Sequence, residues 1–220
     1  MNWQPILHRM KILIACEFSG VVRDAFRALG HDAWSCDLLP CEADPAFHIQ
    51  GNVLDHLGEF GDWEMMVAHP PCTYLANSGV RWLYGGKGKK IDPKRWGLME
   101  DGAKFFKKLR DAPIPHIVME NPIMHKFALD IATYGTKPDQ IIQPWQFGHP
   151  ETKATCLWLK NCVKLKPSKV VAGRTPRIHY ASPGPDRWKE RSRTLPGIAK
   201  AMADQWGRHY TVPWTGEVVG

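Results

Sequence analysis

The segment Met65–Cys72 places the strongest constraint on how this 220-residue chain can fold. Its first four residues, Met65 to Ala68, are all apolar, which is typical of a strand buried on both faces of a parallel sheet. His69 and two prolines follow, and consecutive prolines cannot continue a hydrogen-bonded ladder. The strand therefore ends there. Cys72 is placed on a stiff loop at the edge of the sheet where α/β proteins bind their ligands.

The rest of the chain alternates apolar strands with amphipathic helices, and this pattern predicts an α/β fold with a mostly parallel sheet flanked by helices. Predicted strands cover residues 11–16, 33–36, 47–53, 64–68, 116–119, 140–147 and 155–159, and the last two pair through a turn at 148–153. Predicted helices cover 21–29, 97–110 and 196–206, and a glycine- and lysine-rich loop covers 79–95. We expect one domain over residues 1–220, with residues 1–9 as a loose N-terminal extension.

The composition is that of a soluble globular protein, with 44% hydrophobic and 23% charged residues. No apolar run approaches the roughly 20 residues that span a membrane, so we expect a cytoplasmic protein without membrane contact. The six cysteines show no Cys-x-x-Cys spacing and are expected to be reduced thiols. The ten histidines have no metal-ligand spacing, so no metal is expected either.

Positive charge is concentrated in two segments that also contain aromatic residues. The net charge is +7, which favours a polyanionic partner, and the segments are 81–96 and 174–193. Cations neutralise phosphates and aromatic faces stack on unpaired bases, so both segments are predicted to contact nucleic acid. The alternative is a pair of solvated basic loops. The candidate DNA-binding residues are Arg81, Lys87, Lys89, Lys90, Arg174, Arg177, Arg191 and Arg193.

Four polar motifs follow predicted strands, and the carboxyl ends of parallel strands converge on one edge of a sheet. They are Glu17–Gly20, Asp37 with the later Asp55, Pro70–Cys72, and Glu120–Pro122. A cysteine thiolate is a nucleophile, and a nearby carboxyl group can protonate a ring that the thiolate attacks. Attack of Cys72 on carbon 6 of a pyrimidine, with Glu120 at ring N3, would make carbon 5 able to accept a methyl group. For that role we expect burial to raise the pKa of Glu120.

With these motifs in this order, the chain resembles the DNA cytosine-5 methyltransferases, which use S-adenosylmethionine. Phe18-Ser19-Gly20 is similar to the cofactor turn of that family, Asp37 to its ribose-binding acid and Asp55 to the acid at the adenine end. Pro70-Pro71-Cys72 resembles the catalytic loop, and Glu120-Asn121-Pro122 resembles the motif that engages the cytosine ring. The resemblance implies a Rossmann-like class I methyltransferase fold with a late antiparallel strand. It also implies methyl transfer to a cytosine that has been flipped out of DNA.

The resemblance also supplies the site residues. The implied catalytic residues are Cys72, Glu120 and Lys153; the implied cofactor-binding residues are Glu17, Phe18, Ser19, Gly20, Asp37, Leu38, Asp55 and Pro70. Lys153 stands where the family has an arginine-rich strand. Residues 160–195 occupy the place of a large target-recognition domain, so we expect low sequence specificity. A monomer in the cytoplasm of a bacterial host, encoded by a phage, is expected.

Other interpretations of the same residues stay open. One is the same carbon-5 chemistry with a carboxylated derivative of S-adenosylmethionine, or on RNA or a free pyrimidine nucleotide. Another is an inactive methyltransferase-like scaffold that binds nucleic acid. His69 is a candidate to tune the Cys72 thiolate, although a histidine there can also simply end the strand.

Overall fold

The computed structural model describes residues 8–58, 63–85, 90–177, 180, 184 and 187–208. Within this part of the chain, seven strands form one sheet in the order β3-β2-β1-β4-β5-β7-β6. The strands are β1 Lys11–Ala15, β2 Asp32–Asp37, β3 His48–Gln50, β4 Met65–Ala68, β5 His116–Pro122, β6 Gln140–Ile142 and β7 Thr155–Lys160.

The direction of the strands confirms the predicted fold class. Strands β1 to β5 are mutually parallel, whereas β7 runs antiparallel to both β5 and β6. Strands β2 and β3 lie on one side of β1, and β4 and the later strands lie on the other side. This change of direction between β1 and β4 creates the crevice where open α/β sheets bind ligands. The antiparallel β7 is the late antiparallel strand that the sequence led us to expect.

Two layers of helices cover the sheet. The helices are α1 Val21–Arg27, α2 Pro93–Arg110, α3 Lys126–Thr133, α4 Arg187–Ser192 and α5 Pro196–Met202, and α5 continues as a π-helical turn at Ala203–Gly207. In β1, Leu13 and Ala15 pack into the same core as α2 and α3, whereas Ile12 and Ile14 pack into the core of α1 and α5. Because successive side chains alternate across a strand, a strand buried on both faces must be apolar throughout, as β1 is from Ile12 onward.

The limits of several elements differ from the predicted ones for local reasons. Helix α2 begins at Pro93 rather than residue 97, because Asp92 caps it by accepting a hydrogen bond from the Arg95 amide at 3.1 Å. Strand β5 extends to Pro122, because β7 pairs with it from Ile117 to Pro122. Strand β6 ends at Ile142, since a 3₁₀ turn begins at Pro144. The predicted loop 79–95 was partly wrong, because Asn77–Tyr84 forms 3₁₀ turns.

Helices α3 and α4 were not predicted. Residues 1–7 of the predicted N-terminal extension lie outside the described residues, and the ring of His8 pairs with Glu64 at 2.5 Å. In the described part of the chain, no helix is long and apolar enough to cross a membrane. The described residues also contain no group of three or more His, Cys, Asp or Glu side chains that could hold a metal ion. The six cysteines all lie in the described residues, and none of them forms a disulfide.

Candidate active site at the carboxyl edge of the sheet

The loop that carries Cys72 is fixed at both ends. The His69 amide donates to the Ala15 carbonyl at 2.9 Å, which extends the β4 ladder by one residue before the prolines end it. The Cys72 carbonyl accepts hydrogen bonds from the amides of Leu75 and Ala76, both at 3.0 Å, and so closes a turn. Just beyond this turn, the Asn77 amide donates to the Ile123 carbonyl at 2.8 Å. The nucleophile candidate therefore lies on a loop held by β1 on one side and by the segment after β5 on the other.

Asn121 ties this loop to β5. Its side-chain Nδ2 donates to the Pro70 carbonyl at 2.9 Å, and the residue is only 1% exposed. A proline has no amide hydrogen, so its carbonyl is the one backbone group through which the loop can be held at this position. Sequence reasoning placed Asn121 in a motif but gave it no role. The structure shows it as the group that positions the Pro70–Cys72 segment.

Glu120 lies on the strand next to Cys72, and it is paired with His69. His69 Nδ1 and Glu120 Oε2 are 2.8 Å apart, and their side chains are 8% and 14% exposed. Burial raises the pKa of Glu120, but the hydrogen bond and charge of His69, together with Lys153, outweigh it, so this pKa lies below its ordinary value. The expectation of a raised pKa is therefore wrong. Burial was predicted correctly, but the histidine partner was not.

The sequence made His69 a candidate to tune the Cys72 thiolate, and the structure shows which group its ring contacts. The hydrogen-bond partner of its ring is the Glu120 carboxylate. The two residues are 51 positions apart in the sequence, so no local pattern could have paired them. Adjacent parallel strands bring them together, because β4 and β5 pair with Ala68 opposite Met119 and the next residue of each strand lies at the same level.

Lys153 is the third candidate catalytic residue, and it lies near Cys72 and Glu120. Its Nζ donates to the Arg191 carbonyl at 2.8 Å, and its backbone amide donates to Gln143 Oε1 at 3.0 Å. Its charge acts on both Cys72 and Glu120 and favours a lower pKa for each. The structure thus brings together the three candidate catalytic residues. A small cleft beside them is lined by Glu120, Lys153, Thr155, Thr194, Leu195, Ile198 and Met202.

The Cys72 thiol is not a preformed thiolate. Burial raises its pKa, and the nearby Glu120 carboxylate raises it further, while Lys153 and Arg191 act in the opposite direction. The buried Cys36 and Cys156 have pKa values of about 12 and about 11, raised by burial and by neighbouring carboxylates. Cys72 differs from these two in having cations beside it, which is the environment that favours a reactive thiol.

The loop after β1 is shaped by Glu17. This residue is 5% exposed, and its carboxylate accepts hydrogen bonds from the Val22 amide at 2.7 Å and the Arg23 amide at 3.2 Å. The carboxylate therefore caps the N-terminus of α1. Gly20 has φ = +75°, and a Cβ atom there would lie 2.8 Å from Arg23 Nη2 and 2.9 Å from Ala43 Cβ. Only glycine fits this turn without strain.

The end of β2 presents an acid next to an exposed apolar side chain. Asp37 Oδ1 accepts a hydrogen bond from the Leu39 amide at 2.9 Å. Burial raises the pKa of Asp37, although the hydrogen bond from that amide and the charge of His48 act to lower it. The neighbouring Leu38 is 72% exposed. Asp55 is exposed on the 3₁₀ turn Val53–His56, and its charge acts on Cys36 at the end of the same strand. Asp37, Leu38 and Asp55 therefore share one edge of the sheet.

Helix α4 lies over the predicted cofactor turn. The Trp188 and Phe18 rings are 6.0 Å apart between centroids, and the Arg193 guanidinium carbon is 6.0 Å from the Phe18 centroid. Arg193 also donates to both carboxylate oxygens of Glu42, at 2.9 and 2.6 Å. As a result Phe18 is only 6% exposed. Neither Glu42 nor Trp188 was assigned to the site from the sequence, since both act through contacts between distant segments.

The predicted DNA-binding residues fall into two groups. Arg81 and Lys90 are exposed on the segment that follows the loop carrying Cys72, and the Arg81 guanidinium lies 4.8 Å from the Trp82 ring centroid. Arg177 instead pairs with Glu151 at 2.8 Å, Arg193 pairs with Glu42, and Arg174 lies 3.9 Å from the Trp145 ring centroid. Arg191 lies close enough to Cys72 to influence it. Lys87 and Lys89 lie outside the described residues.

The chain matches no model of a known protein family and no curated protein. Among solved structures it is similar to an E. coli protein described as a "putative DNA modification methyltransferase encoded within prophage Cp", at 12% sequence identity and a TM-score of 0.44. The similarity covers 79% of this chain and 55% of that one, so this chain corresponds to about half of the other protein. A likeness of that extent does not define the activity of this chain.

Proposed function

We propose that this protein is an S-adenosylmethionine-dependent methyltransferase that modifies carbon 5 of cytosine in DNA. The observation that carries the proposal is the meeting of Cys72, Glu120 and Lys153 at the carboxyl edge of the sheet, with the Glu17–Gly20 turn on the neighbouring strand β1. A nucleophile, a carboxyl group and a cation are the set that addition to a pyrimidine ring needs.

In the proposed reaction the Cys72 thiol loses its proton to solvent and adds to carbon 6 as a thiolate, while ring N3 gains a proton by way of Glu120. The electron pair released onto carbon 5 would form the bond to the methyl group as the bond between that methyl group and the sulfur of S-adenosylmethionine breaks, which would leave S-adenosylhomocysteine. Carbon 5 then loses its hydrogen as a proton, and the bond to Cys72 breaks to restore the aromatic ring. Lys153 favours the thiolate through its charge, and Asn121 holds the loop in place through the Pro70 carbonyl.

The residues around the β1 turn fit a cationic cofactor better than a phosphorylated one. In dinucleotide-binding folds the pyrophosphate lies at the N-terminus of the first helix, but here the Glu17 carboxylate occupies that position. A phosphate there would face a negative charge. S-adenosylmethionine carries no phosphate and, when bound, supplies an electrophilic methyl group on a positively charged sulfur.

Asp37 and Leu38 fit the nucleoside part of that cofactor. Asp37 uses Oδ1 to accept from the Leu39 amide, and a carboxylate has two oxygens that can each accept more than one hydrogen bond. A carboxylate at the end of β2 is suited to bind ribose hydroxyls, and the exposed Leu38 offers an apolar contact for a base. Asp55 and Phe18 are the further residues that would border the site.

DNA as the substrate is supported by the exposed Arg81 and Lys90, because their segment follows the Cys72 loop directly. The target base would have to leave the duplex to reach Cys72. A free pyrimidine nucleotide is the second candidate substrate. The ion pairs of Arg177 with Glu151 and of Arg193 with Glu42 favour it, since they reduce the charge that those arginines present to a phosphate backbone.

The decisive experiment is mass spectrometry of nucleosides after incubation with S-adenosylmethionine, on DNA, RNA and free dCMP in parallel. We expect 5-methylcytosine in DNA with the wild-type protein, no product with Cys72→Ser, and wild-type product with the control Cys162→Ser. Cys162 is a comparably half-buried cysteine that lies just beyond β7. Modified dCMP or RNA alone would replace DNA as the substrate, and a product of greater mass would identify a carboxylated donor. Undiminished product from Cys72→Ser would refute the nucleophile assignment.

A further inference from the structure

His69 and Glu120 form a hydrogen-bonded pair that is suited to transfer a proton. The ring Nδ1 lies 2.8 Å from Glu120 Oε2, and both side chains are nearly buried, at 8% and 14% exposure. A hydrogen bond between an imidazole and an ionised carboxylate contains one proton, which the ring nitrogen donates to the carboxylate oxygen. The pair lies beside Cys72, whose thiol is influenced by Glu120.

The proposed reaction requires a proton that Glu120 by itself does not hold. Because the pKa of Glu120 lies below its ordinary value, the carboxyl group is ionised at neutral pH. Ring N3 can nevertheless be protonated only through a donor that touches it. The Nδ1 hydrogen of His69 is in direct hydrogen-bond contact with the carboxylate, so it is the nearest proton available to it.

We propose that His69 stores the proton that Glu120 delivers to ring N3, and that the two residues act as one acid. This inference rests on the proposed function. The cycle starts from imidazolium and carboxylate. The Nδ1–H bond breaks as an O–H bond forms at Glu120, the carboxyl group gives that proton to N3, and His69 remains neutral with its proton on Nε2. When the thiolate leaves the product, N3 returns the proton along the same route.

The second ring nitrogen supports this role. His69 Nε2 is buried and has no hydrogen-bond partner among the described residues. No described group therefore accepts a proton from Nε2, so Nδ1, which contacts the Glu120 carboxylate, is the nitrogen placed to exchange its proton. Lys153 also acts on the pair, because its charge favours the carboxylate form of Glu120. Cys72 is the other titratable group that faces the pair.

The experiment measures exchange of the carbon-5 hydrogen of cytosine for deuterium in D₂O, with DNA and no cofactor. Thiolate addition makes carbon 5 basic, so exchange reports the Cys72–Glu120–His69 step regardless of the methyl donor. His69→Asn retains an amide donor near the position of Nδ1 but cannot supply a proton. The matched control is His116→Asn, since His116 lies on β5, is 7% exposed and makes an Nδ1 contact of 2.7 Å with the Asn161 carbonyl.

We expect His69→Asn to slow exchange by about 10²-fold or more, the usual contribution of a positioned acid, and to lose the alkaline limb of the wild-type pH profile. His116→Asn should keep both the rate and the profile. Exchange by His69→Asn at the wild-type rate with an unchanged profile would overturn the role of His69 and leave the proposed function intact. Absence of exchange in the wild-type protein would overturn both.

One measurement requires no variant and so does not depend on folding of a mutant. Nitrogen-15 NMR of histidine-labelled wild-type protein counts the hydrogens on the His69 ring. We expect both ring nitrogens to carry a proton at the pH of maximal exchange. A singly protonated ring at that pH would contradict the proposal, because a neutral His69 cannot give its Nδ1 proton to Glu120 and keep one on Nε2.

Discussion

Replacement of Asn121 by aspartate tests whether a single buried amide holds the loop that carries Cys72. The change removes the donor that bonds the Pro70 carbonyl at 2.9 Å and puts a carboxylate in a site that is 1% exposed. An unpaired buried carbonyl costs about 1–3 kcal/mol. Burial should also raise the pKa of the new carboxyl group, and a pKa that is higher by one corresponds to about 1.4 kcal/mol less stability for the ionised form.

We therefore expect Asn121→Asp to lower the free energy of unfolding by about 3 kcal/mol at pH 8, and the melting temperature by about 6–12 °C. The penalty should shrink as the pH falls, because a carboxyl group whose folded pKa is raised is destabilising only when the pH is high enough to ionise it. Exchange at carbon 5 should fall by about tenfold to a hundredfold, since about 1.4 kcal/mol corresponds to one factor of ten.

The same chain supplies a matched control for this variant. Asn161 Nδ2 donates to the Pro115 carbonyl, also at 2.9 Å, at the opposite end of β5 and at an exposed position. Its backbone has φ = +53°, a conformation that aspartate tolerates. Asn161→Asp should cost about 1 kcal/mol and leave carbon-5 exchange unchanged. Equal melting temperatures and equal activity in the two variants would refute the idea that Asn121 positions Cys72.

Two further variants test the electrostatics and the cofactor site. Lys153→Met should raise the pKa of Cys72 and so slow the alkylation of Cys72 by iodoacetamide at pH 8. The control Lys160→Met should not change the alkylation rate, because it removes a similar Nζ contact, to the Ala112 carbonyl, at the far end of β7. Equal alkylation rates in the two variants would exclude Lys153 from the site. Asp37→Asn keeps the oxygen that accepts the hydrogen bond from the Leu39 amide but removes the negative charge. Calorimetry should show that this variant binds S-adenosylmethionine about tenfold to a hundredfold more weakly, which is the usual loss for a charge-assisted hydrogen bond. Asp44→Asn, in the same kind of turn outside the site, should bind normally, and unaltered binding by Asp37→Asn would remove that acid from the cofactor site.

The strands were predictable because their signal is local. Ile12–Ala15 and Met65–Ala68 are wholly apolar, and burial on both faces of a parallel sheet needs no other information. The late pair β6 and β7 was recognised from a turn between two apolar runs, and the structure confirms that they are antiparallel. Helix α4 was missed because its exposed sequence lacks an apolar face, and its contact with Phe18 joins it to a different part of the chain.

For the site, the sequence by itself determined that Cys72 and Glu120 follow or end buried strands, because prolines and apolar runs mark those ends. The tertiary structure alone decided which groups touch. It paired His69 with Glu120 and brought Lys153 and Arg191 towards Cys72. The lowered pKa of Glu120 shows why the difference matters. Burial can be inferred from an apolar strand, but whether the pKa rises or falls depends on a partner 51 residues away, and only the packing of β4 against β5 supplies that partner.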